Sequence, residues 1–290
     1  MTAVGPAFPA GSCDCHCHIY GPFDRFPPGD ATNYAAPPSS AVEDLLALWQ
    51  ALGISRGVIV HALAAGPGNA VTRDALLRFP GRLRGVAVLS DPAVPDAALD
   101  DLTAVGFRGM RVNLLRQGGR KLYAGGAGLD ALEALAPRIA ERGWHAQVWI
   151  GAGDLAEIAP RLDALGLDIV IDHMGRMMAD KGANDPGFRW LCDRLQDGRT
   201  WCKLSGADRN TVAGPPYADT VPFMRALVDA APDRVVWGTD WPHVGHADAT
   251  RPNAHALAAL LRSVVPEPAL LHKVMVANPV ALYGFAAVDV

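Results

Sequence analysis

The regular alternation of short apolar segments with longer amphipathic ones is the feature that most restricts the fold of this chain. We predict strands at residues 13–20, 57–61, 83–89, 107–115, 144–150, 168–173, 200–205 and 235–240. We predict helices after them, at residues 40–53, 72–79, 96–105, 129–142, 154–165, 188–195 and 220–231, with a helical remainder. Strands that are apolar throughout and alternate with helices indicate a parallel sheet covered by helices. Eight such repeats in 290 residues favour a closed (β/α)8 TIM-like barrel over an open sheet.

The chain is predicted to be one domain spanning residues 1–290, with residues 1–12 as a lead-in of small and proline residues. No linker composition interrupts the repeats. The segment 66–68 reads Gly-Pro-Gly and lacks the glycine spacing of a dinucleotide-binding fingerprint. Half of the residues are hydrophobic, so a single large core can be buried.

Composition argues against several classes of partner. The net charge is −4 and the pI is near 6.1, which gives no basis for binding nucleic acid or an anionic membrane. No apolar run reaches the ~18–20 residues of a membrane span, and the N-terminus lacks a secretory signal pattern. Five cysteines, three of them in one strand, do not form a disulfide framework. We therefore expect a cytoplasmic protein, and the sequence is compatible with a homo-oligomer.

The first strand carries two histidines two residues apart, His16 and His18, interleaved with three cysteines. Side chains alternate between the two faces of a strand, so the histidines share one face and the cysteines the other. In a barrel this alternation would send the histidines to the active-site mouth and the cysteines against the helices. We therefore interpret Cys13, Cys15 and Cys17 as packing residues.

Polar side chains at other strand ends can join this pair, because barrel active sites lie at the C-terminal ends of the strands. His173 ends strand 6, and Asp240 ends strand 8. Together with His16 and His18 they could hold one Zn²⁺ ion and a water. Without metal, Asp240 could accept a proton from water while the imidazoles bind a substrate carbonyl. Both alternatives, no metal or a single divalent ion, stay open, and these four residues are the predicted catalytic set.

The inward face of strand 6 is predicted to carry His173 together with Ile169 and Ile171. On the same argument Asp172 would lie on the other face, with a structural role or a role in supporting the site residues, through a hydrogen bond to neighbouring backbone.

Four arginines at or just beyond strand ends suggest what the pocket binds. Guanidinium groups suit carboxylates and sulfonates, which they bind through two parallel hydrogen bonds. The predicted substrate-binding residues are Arg111, Arg116, Arg176, Arg209, His243, Trp149, Tyr34 and His61.

Three blocks of this sequence resemble the amidohydrolase superfamily. They are residues 14–18 (DCHCH), 170–176 (VIDHMGR) and 237–243 (WGTDWPH). More narrowly, they are similar to the branch that contains the 2-pyrone-4,6-dicarboxylate lactonases. Residues 109–113, 201–209 and 214–217 also resemble that branch, so the similarity runs across nearly the whole chain.

The resemblance implies a distorted barrel that hydrolyses a carboxylated or sulfonated lactone from aromatic-compound breakdown. It implies that Asp240 activates water while the histidines and an arginine polarise the ester carbonyl. Members of the branch are described both without metal and, among sulfomuconolactone hydrolases, with one Zn²⁺. Gln117, Trp149 and Gly245 depart from the branch pattern, so several substrate contacts are expected to differ. A metal-dependent decarboxylase or a lactone isomerase built from the same residues is the alternative.

Overall fold

A computed structural model describes residues 7–29, 40–122 and 126–287, and its strands form the predicted barrel. The barrel strands are β1 (Cys13–Cys17), β2 (Arg56–Val60), β3 (Leu83–Ala87), β4 (Phe107–Asn113), β5 (His145–Trp149), β6 (Ile169–Ile171), β7 (Thr200–Leu204) and β8 (Val235–Trp237). Each pairs in parallel with the next, from β1 to β8. The (β/α)8 architecture predicted from the strand and helix pattern is therefore confirmed.

Helices cover the outside of the barrel. The longer ones are α1 (Val42–Leu52), α2 (Ala70–Arg78), α3 (Asp96–Val105), α4 (Leu129–Ala140), α5 (Ala152–Asp163), α6 (Pro186–Leu195), α7 (Val221–Ala230) and α8 (Ala254–Val264). Shorter helical segments follow at Pro268–His272, Lys273–Ala277 and Asn278–Tyr283. Within the described ranges, none of the helices is both long enough and apolar enough to cross a membrane.

The first helix begins close to the predicted residue 40, without a side-chain hydrogen bond from its N-cap residue. Ala41 is the N-cap residue, and its backbone N–H donates to Asp44 Oδ2 at 3.1 Å. The Asp44 carboxylate in the first turn therefore satisfies the N–H of the N-cap residue. The C-terminal end at Gly53 is as predicted, with φ of 75°.

The barrel closes where the chain beyond β8 meets β1. The Asp240 N–H donates to the His16 carbonyl at 2.8 Å, and the His18 N–H donates to the Trp241 carbonyl at 2.8 Å. Gly238 lies directly against this contact, since a Cβ built there would be 2.5 Å from the His16 backbone nitrogen. Closure of the barrel therefore brings Asp240 to the histidine pair.

The barrel interior contains two of the three cysteines. Cys13 and Cys15 pack in one cluster with inward side chains from other strands, including Val58, Val170 and Val236. Cys17 instead packs in the cluster that the strands form with the helices. The prediction that all three cysteines face the helices is thus wrong for Cys13 and Cys15. The cause is an irregularity in the β1–β2 register between Asp14 and Cys17, which interrupts the alternation.

The predicted faces of β6 are reversed. Ile169 and Ile171 pack with the helices, whereas Val170 belongs to the interior cluster. Asp172 therefore continues the inward face and makes side-chain contacts inside the barrel, described below. His173 reaches the same region because the chain turns sharply there, with φ of 53° at His173.

The amino-terminal part of β5 places a neutral histidine in the barrel. The His145 ring contacts Tyr283, with the ring centroids 5.3 Å apart, and burial lowers its pKa from 6.5 to about 3. The unfolded chain therefore binds a proton at this residue near pH 6.5, whereas the folded protein resists protonation until about pH 3. Stability from this residue is complete above pH 6.5 and is lost progressively as the pH falls from 6.5 towards 3.

Replacing His145 with leucine should flatten this pH dependence. Between pH 7 and pH 5, the parent protein should lose about 2 kcal/mol more free energy of unfolding than the variant does. Urea unfolding at the two pH values measures this difference. His255→Leu, at an exposed histidine, controls for loss of a histidine as such. If the parent and His145→Leu lost the same free energy of unfolding between pH 7 and pH 5, His145 would not be the source of this pH dependence.

Candidate active site

Three imidazoles surround one carboxylate oxygen at the mouth of the barrel. The Oδ1 atom of Asp240 lies 3.3 Å from His18 Nε2, 3.6 Å from His16 Nε2 and 3.9 Å from His173 Nε2. All four side chains are buried. The structure therefore brings together the four residues that the sequence predicted as the catalytic set.

Unusual backbone conformations deliver two of these side chains. Asp240 has φ of 60°, and the run from His173 to Arg176 has positive φ throughout, between 49° and 64°. Such angles cost about 1–3 kcal/mol per non-glycine residue and persist only where the surroundings hold them. The His173 carbonyl accepts a hydrogen bond from Asn210 Nδ2 at 3.0 Å. Gly206 leaves room for the histidine, since a Cβ there would lie 2.9 Å from its Cβ.

Electrostatics keep the Asp240 carboxylate charged and the rings of His16 and His173 neutral. Burial alone would raise the pKa of Asp240, but Arg209 and the nearby histidines hold it well below its usual range. Arg209 Nε donates to Asp240 Oδ2 at 2.6 Å. Burial lowers the pKa of His16 well below its ordinary value and that of His173 to about 4. Near neutral pH the site therefore contains an ionised acid next to the neutral imidazoles of His16 and His173.

The other ring nitrogens determine how the imidazoles face Asp240. His18 Nδ1 lies 2.7 Å from the Val60 carbonyl, which can only accept, so Nδ1 carries the proton. His18 Nε2 lies on the other side of the ring, 3.3 Å from Asp240 Oδ1, where a shared proton or a bound cation would stabilise the contact. His173 Nδ1 lies 2.9 Å from Ser205 Oγ, a hydroxyl that can donate or accept.

Three of the four donors fit a single zinc ion. Ligand atoms of His16, His173 and Asp240 all lie within 4.8 Å of one another, and His18 is not part of that group. Tetrahedral coordination at the usual Zn–N and Zn–O distances places ligand atoms about 3.3–3.4 Å apart. The separations between Asp240 Oδ1 and the three Nε2 atoms run from 3.3 to 3.9 Å. His16 Nε2 is buried and has no hydrogen-bond partner within the described residues. The same open atom could equally meet a substrate oxygen, so the positions alone serve both alternatives.

Beneath the imidazoles lies a polar network that the sequence analysis did not assign. Asp172 Oδ2 accepts from Arg111 Nε at 3.1 Å and from Gln147 Nε2 at 3.0 Å. Lys203 Nζ donates to Gln147 Oε1 at 2.7 Å and lies 3.3 Å from His16 Nδ1. The predicted backbone partner of the Asp172 side chain is therefore wrong, whereas a role in supporting the site residues agrees with these contacts. A charged residue on the inward alternation of an apolar strand, as Lys203 is on β7, was the signal that could have revealed this network.

The predicted substrate arginines divide by position. The guanidinium of Arg111 lies 5.0 Å from the ring centre of Trp149, and its side chain is only 12 % exposed. Arg176 Nη1 donates to Asn210 Oδ1 at 2.8 Å. Arg116 instead lies on a two-strand hairpin, 45 % exposed and 3.6 Å from Glu157 Oε2. Of the four, Arg111 and Arg209 bind the carboxylates of the site directly, and Arg116 does not.

The remaining predicted residues have different surroundings. His243 is buried, burial lowers its pKa to about 4, and neither ring nitrogen has a hydrogen-bond partner in the described part of the chain. His61 is engaged at both nitrogens, 3.0 Å from Thr72 Oγ1 and 2.9 Å from the Gly66 carbonyl. Tyr34 lies outside the described residues.

A buried, ionised carboxylate next to imidazoles at the mouth of a parallel barrel is an arrangement typical of hydrolases that activate water at the ends of the strands. The chain belongs to the amidohydrolase family, whose model, described as "Amidohydrolase", matches residues 13–285. The superfamily resemblance found in the sequence is thereby confirmed.

Three relatives are similar over nearly their whole length. The 4-sulfomuconolactone hydrolase of Hydrogenophaga intermedia is 36 % identical, covering 96 % of this chain and 90 % of the relative. The 2-pyrone-4,6-dicarboxylate hydrolase of Comamonas testosteroni is 35 % identical, covering 95 % and 90 %. The D-galactarolactone isomerase of Agrobacterium fabrum is 31 % identical, covering 99 % and 96 %. All three relatives are named for reactions on lactones or pyrones, which agrees with the narrower branch that the sequence indicated.

Proposed function

We propose that this protein hydrolyses the lactone ring of a small acidic substrate, with Asp240 as the base that activates water. The observation that carries the proposal is the ionised Asp240, whose Oδ1 lies within 3.9 Å of three imidazole nitrogens. The relatives named as lactone and pyrone hydrolases support the substrate class.

The reaction follows from these positions. A water beside Asp240 Oδ1 attacks the lactone carbonyl carbon as its proton passes to the carboxylate. An imidazole N–H directed at the carbonyl oxygen stabilises the negative charge that develops there; in other enzymes one such hydrogen-bond donor contributes about 3–4 kcal/mol. The ring C–O bond then breaks, and the proton on Asp240 moves to the leaving oxygen. The product is a hydroxy acid, and Asp240 is ionised again.

Metal remains an alternative within the same proposal. If Zn²⁺ is bound, His16, His18, His173 and Asp240 would hold it, and it would supply Lewis-acid polarisation of a carbonyl oxygen. Elemental analysis of protein purified without chelator, paired with activity after dialysis against a chelator, distinguishes the two cases.

Product analysis tests the reaction itself. Sulfonated and carboxylated muconolactones and pyrones, incubated in isotopically labelled water, should open with one water added and the label in the new carboxylate. An isomerised lactone of unchanged mass would instead identify an isomerase, and released carbon dioxide a decarboxylase. No turnover of any acidic lactone, with or without zinc, would refute the proposal.

Arg111 is proposed to bind the acidic group of the substrate. Arg111→Met should raise KM for an acidic lactone roughly 10- to 100-fold, because a charge-assisted hydrogen bond is lost. A neutral lactone of similar size should be affected much less. Steady-state kinetics with both substrates measures the difference.

The matched control is Arg116→Met, on the exposed hairpin where the guanidinium lies 3.6 Å from Glu157. It should leave KM for the acidic lactone nearly unchanged. Equal effects of the two replacements, or an equal loss on the neutral lactone, would remove Arg111 from the binding role.

A further inference from the structure

The reaction described above does not use the most deeply buried cation of the barrel. Lys203 is fully buried, although lysine is rarely so. Its Nζ lies 2.7 Å from Gln147 Oε1, 3.3 Å from His16 Nδ1 and 3.6 Å from Asp172 Oδ1. An ammonium has three N–H donors, and three groups that can accept a hydrogen bond lie around this one.

The contact with His16 matters because two opposite groups approach one ring nitrogen. Lys203 Nζ can only donate to His16 Nδ1, whereas Asp172 Oδ1, 3.2 Å from the same nitrogen, can only accept. The lysine contact has hydrogen-bond geometry. Asp172 Oδ1 has no hydrogen-bond partner within the described residues, and Arg111 and Gln147 occupy Oδ2. The geometry thus favours donation from the lysine into an unprotonated Nδ1.

A neutral imidazole has one proton, so the partner at Nδ1 decides what Nε2 presents to the active site. If Nδ1 accepts from Lys203, Nε2 carries the proton and can donate to a substrate oxygen. If Nδ1 donates to Asp172, Nε2 presents a lone pair, as a metal ligand must. Asp172 therefore favours the Nδ1–H tautomer of His16, which can bind a metal, and Lys203 favours the Nε2–H tautomer, which can donate to a substrate oxygen.

We propose that Lys203 is a positioning residue that holds His16 as its Nε2–H tautomer, so that the site favours a substrate oxygen over a metal ion. The consequence for catalysis rests on the proposed lactone hydrolysis, but the tautomer itself does not. Zinc binding would require His16 to exchange Lys203 for Asp172 at Nδ1. Removing the Lys203 ammonium should therefore strengthen metal binding, even though the ammonium is a buried polar group in contact with the possible metal ligand His16.

The tautomer can be measured directly. Nitrogen NMR of metal-free protein labelled at its nine histidines, recorded without substrate, distinguishes Nδ1–H from Nε2–H rings. The His16 signals are those missing from a His16→Gln variant. We expect Nε2–H in the parent protein and Nδ1–H in Lys203→Met. An Nδ1–H ring at His16 in the parent overturns the proposal, even if Lys203→Met does not fold.

Zinc affinity provides the second readout. Titration of metal-free protein with Zn²⁺ should show roughly tenfold tighter binding in Lys203→Met, the scale expected for groups that orient a metal ligand. Lys181→Met, at an exposed lysine, should bind zinc as the parent does. Unchanged or weaker binding in Lys203→Met would overturn the proposal. Because neither readout involves turnover, their failure is distinct from a failure of lactone hydrolysis.

Discussion

Replacing Asp240 with asparagine should lower kcat/KM for lactone opening by at least about 10³-fold, since the amide cannot accept a proton from water. The amide is nearly the same shape, so it still fits among His16, His18 and His173. It also retains an oxygen that can accept from Arg209 Nε, which lies 2.6 Å from the carboxylate in the parent. The variant should therefore fold, and the loss should fall on turnover. Steady-state kinetics and thermal unfolding together measure this separation.

Asp180→Asn is the matched control, because it makes the same chemical change at an exposed carboxylate of the same chain. Its kcat/KM should equal that of the parent. Retention of more than a tenth of the parent activity in Asp240→Asn, with the fold intact, would show that another group activates water. A collapse of the fold would instead assign the carboxylate a structural role among the imidazoles.

The strands and the four central residues could be predicted because each depends on local sequence. Parallel strands covered by helices are apolar on both faces, so they stand out as short runs rich in Val, Ile and Leu. Active-site groups must follow such runs in a barrel, which is how His173 and Asp240 were found. His16 and His18 lie close to His173 and Asp240 because the C-terminal ends of the strands converge at the mouth of the barrel.

The faces of the same strands could not be predicted reliably, for the same physical reason. Ile169 and Ile171 would be equally stable inside the barrel or against the helices, so hydrophobicity does not orient β6. The positive φ at His173, which returns that side chain to the mouth, leaves no mark in the residue type. The prediction therefore placed Asp172 on the outward face of β6, although its side chain lies inside the barrel.

The partners of buried polar side chains also could not be predicted from local sequence patterns. Lys203 is stable inside the barrel only because Gln147 and Asp172, distant in sequence, face it there. His61 is at a strand end like the other histidines, yet Thr72 and the Gly66 carbonyl occupy its ring nitrogens. Residue type and position predict where a side chain lies, but its partners depend on the whole fold.

Adding one methyl group at Gly238 should impair both stability and catalysis. A Cβ there would lie 2.5 Å from the backbone nitrogen of His16 and 2.6 Å from its Cβ. These atoms belong to the contact through which the end of β8 meets β1, so relief requires one backbone to move away. Overpacking of this kind typically costs 1–3 kcal/mol, and we expect a loss of about 3 kcal/mol in the free energy of unfolding. Because Asp240 follows two residues later, its distance to His16 should also increase, and kcat should fall by roughly 10²-fold.

Gly153→Ala makes the same change where there is room, because nothing lies within 4 Å of a Cβ added there and the residue is in α5. Alanine is the better helix former, so this variant should be as stable as the parent or up to about 1 kcal/mol more stable. Urea unfolding and kcat are measured for both variants. If Gly238→Ala keeps the stability and kcat of the parent, close approach of β1 and β8 is not what sets the distance between Asp240 and the histidines. If stability falls while kcat does not, the contact closes the barrel without positioning the catalytic groups.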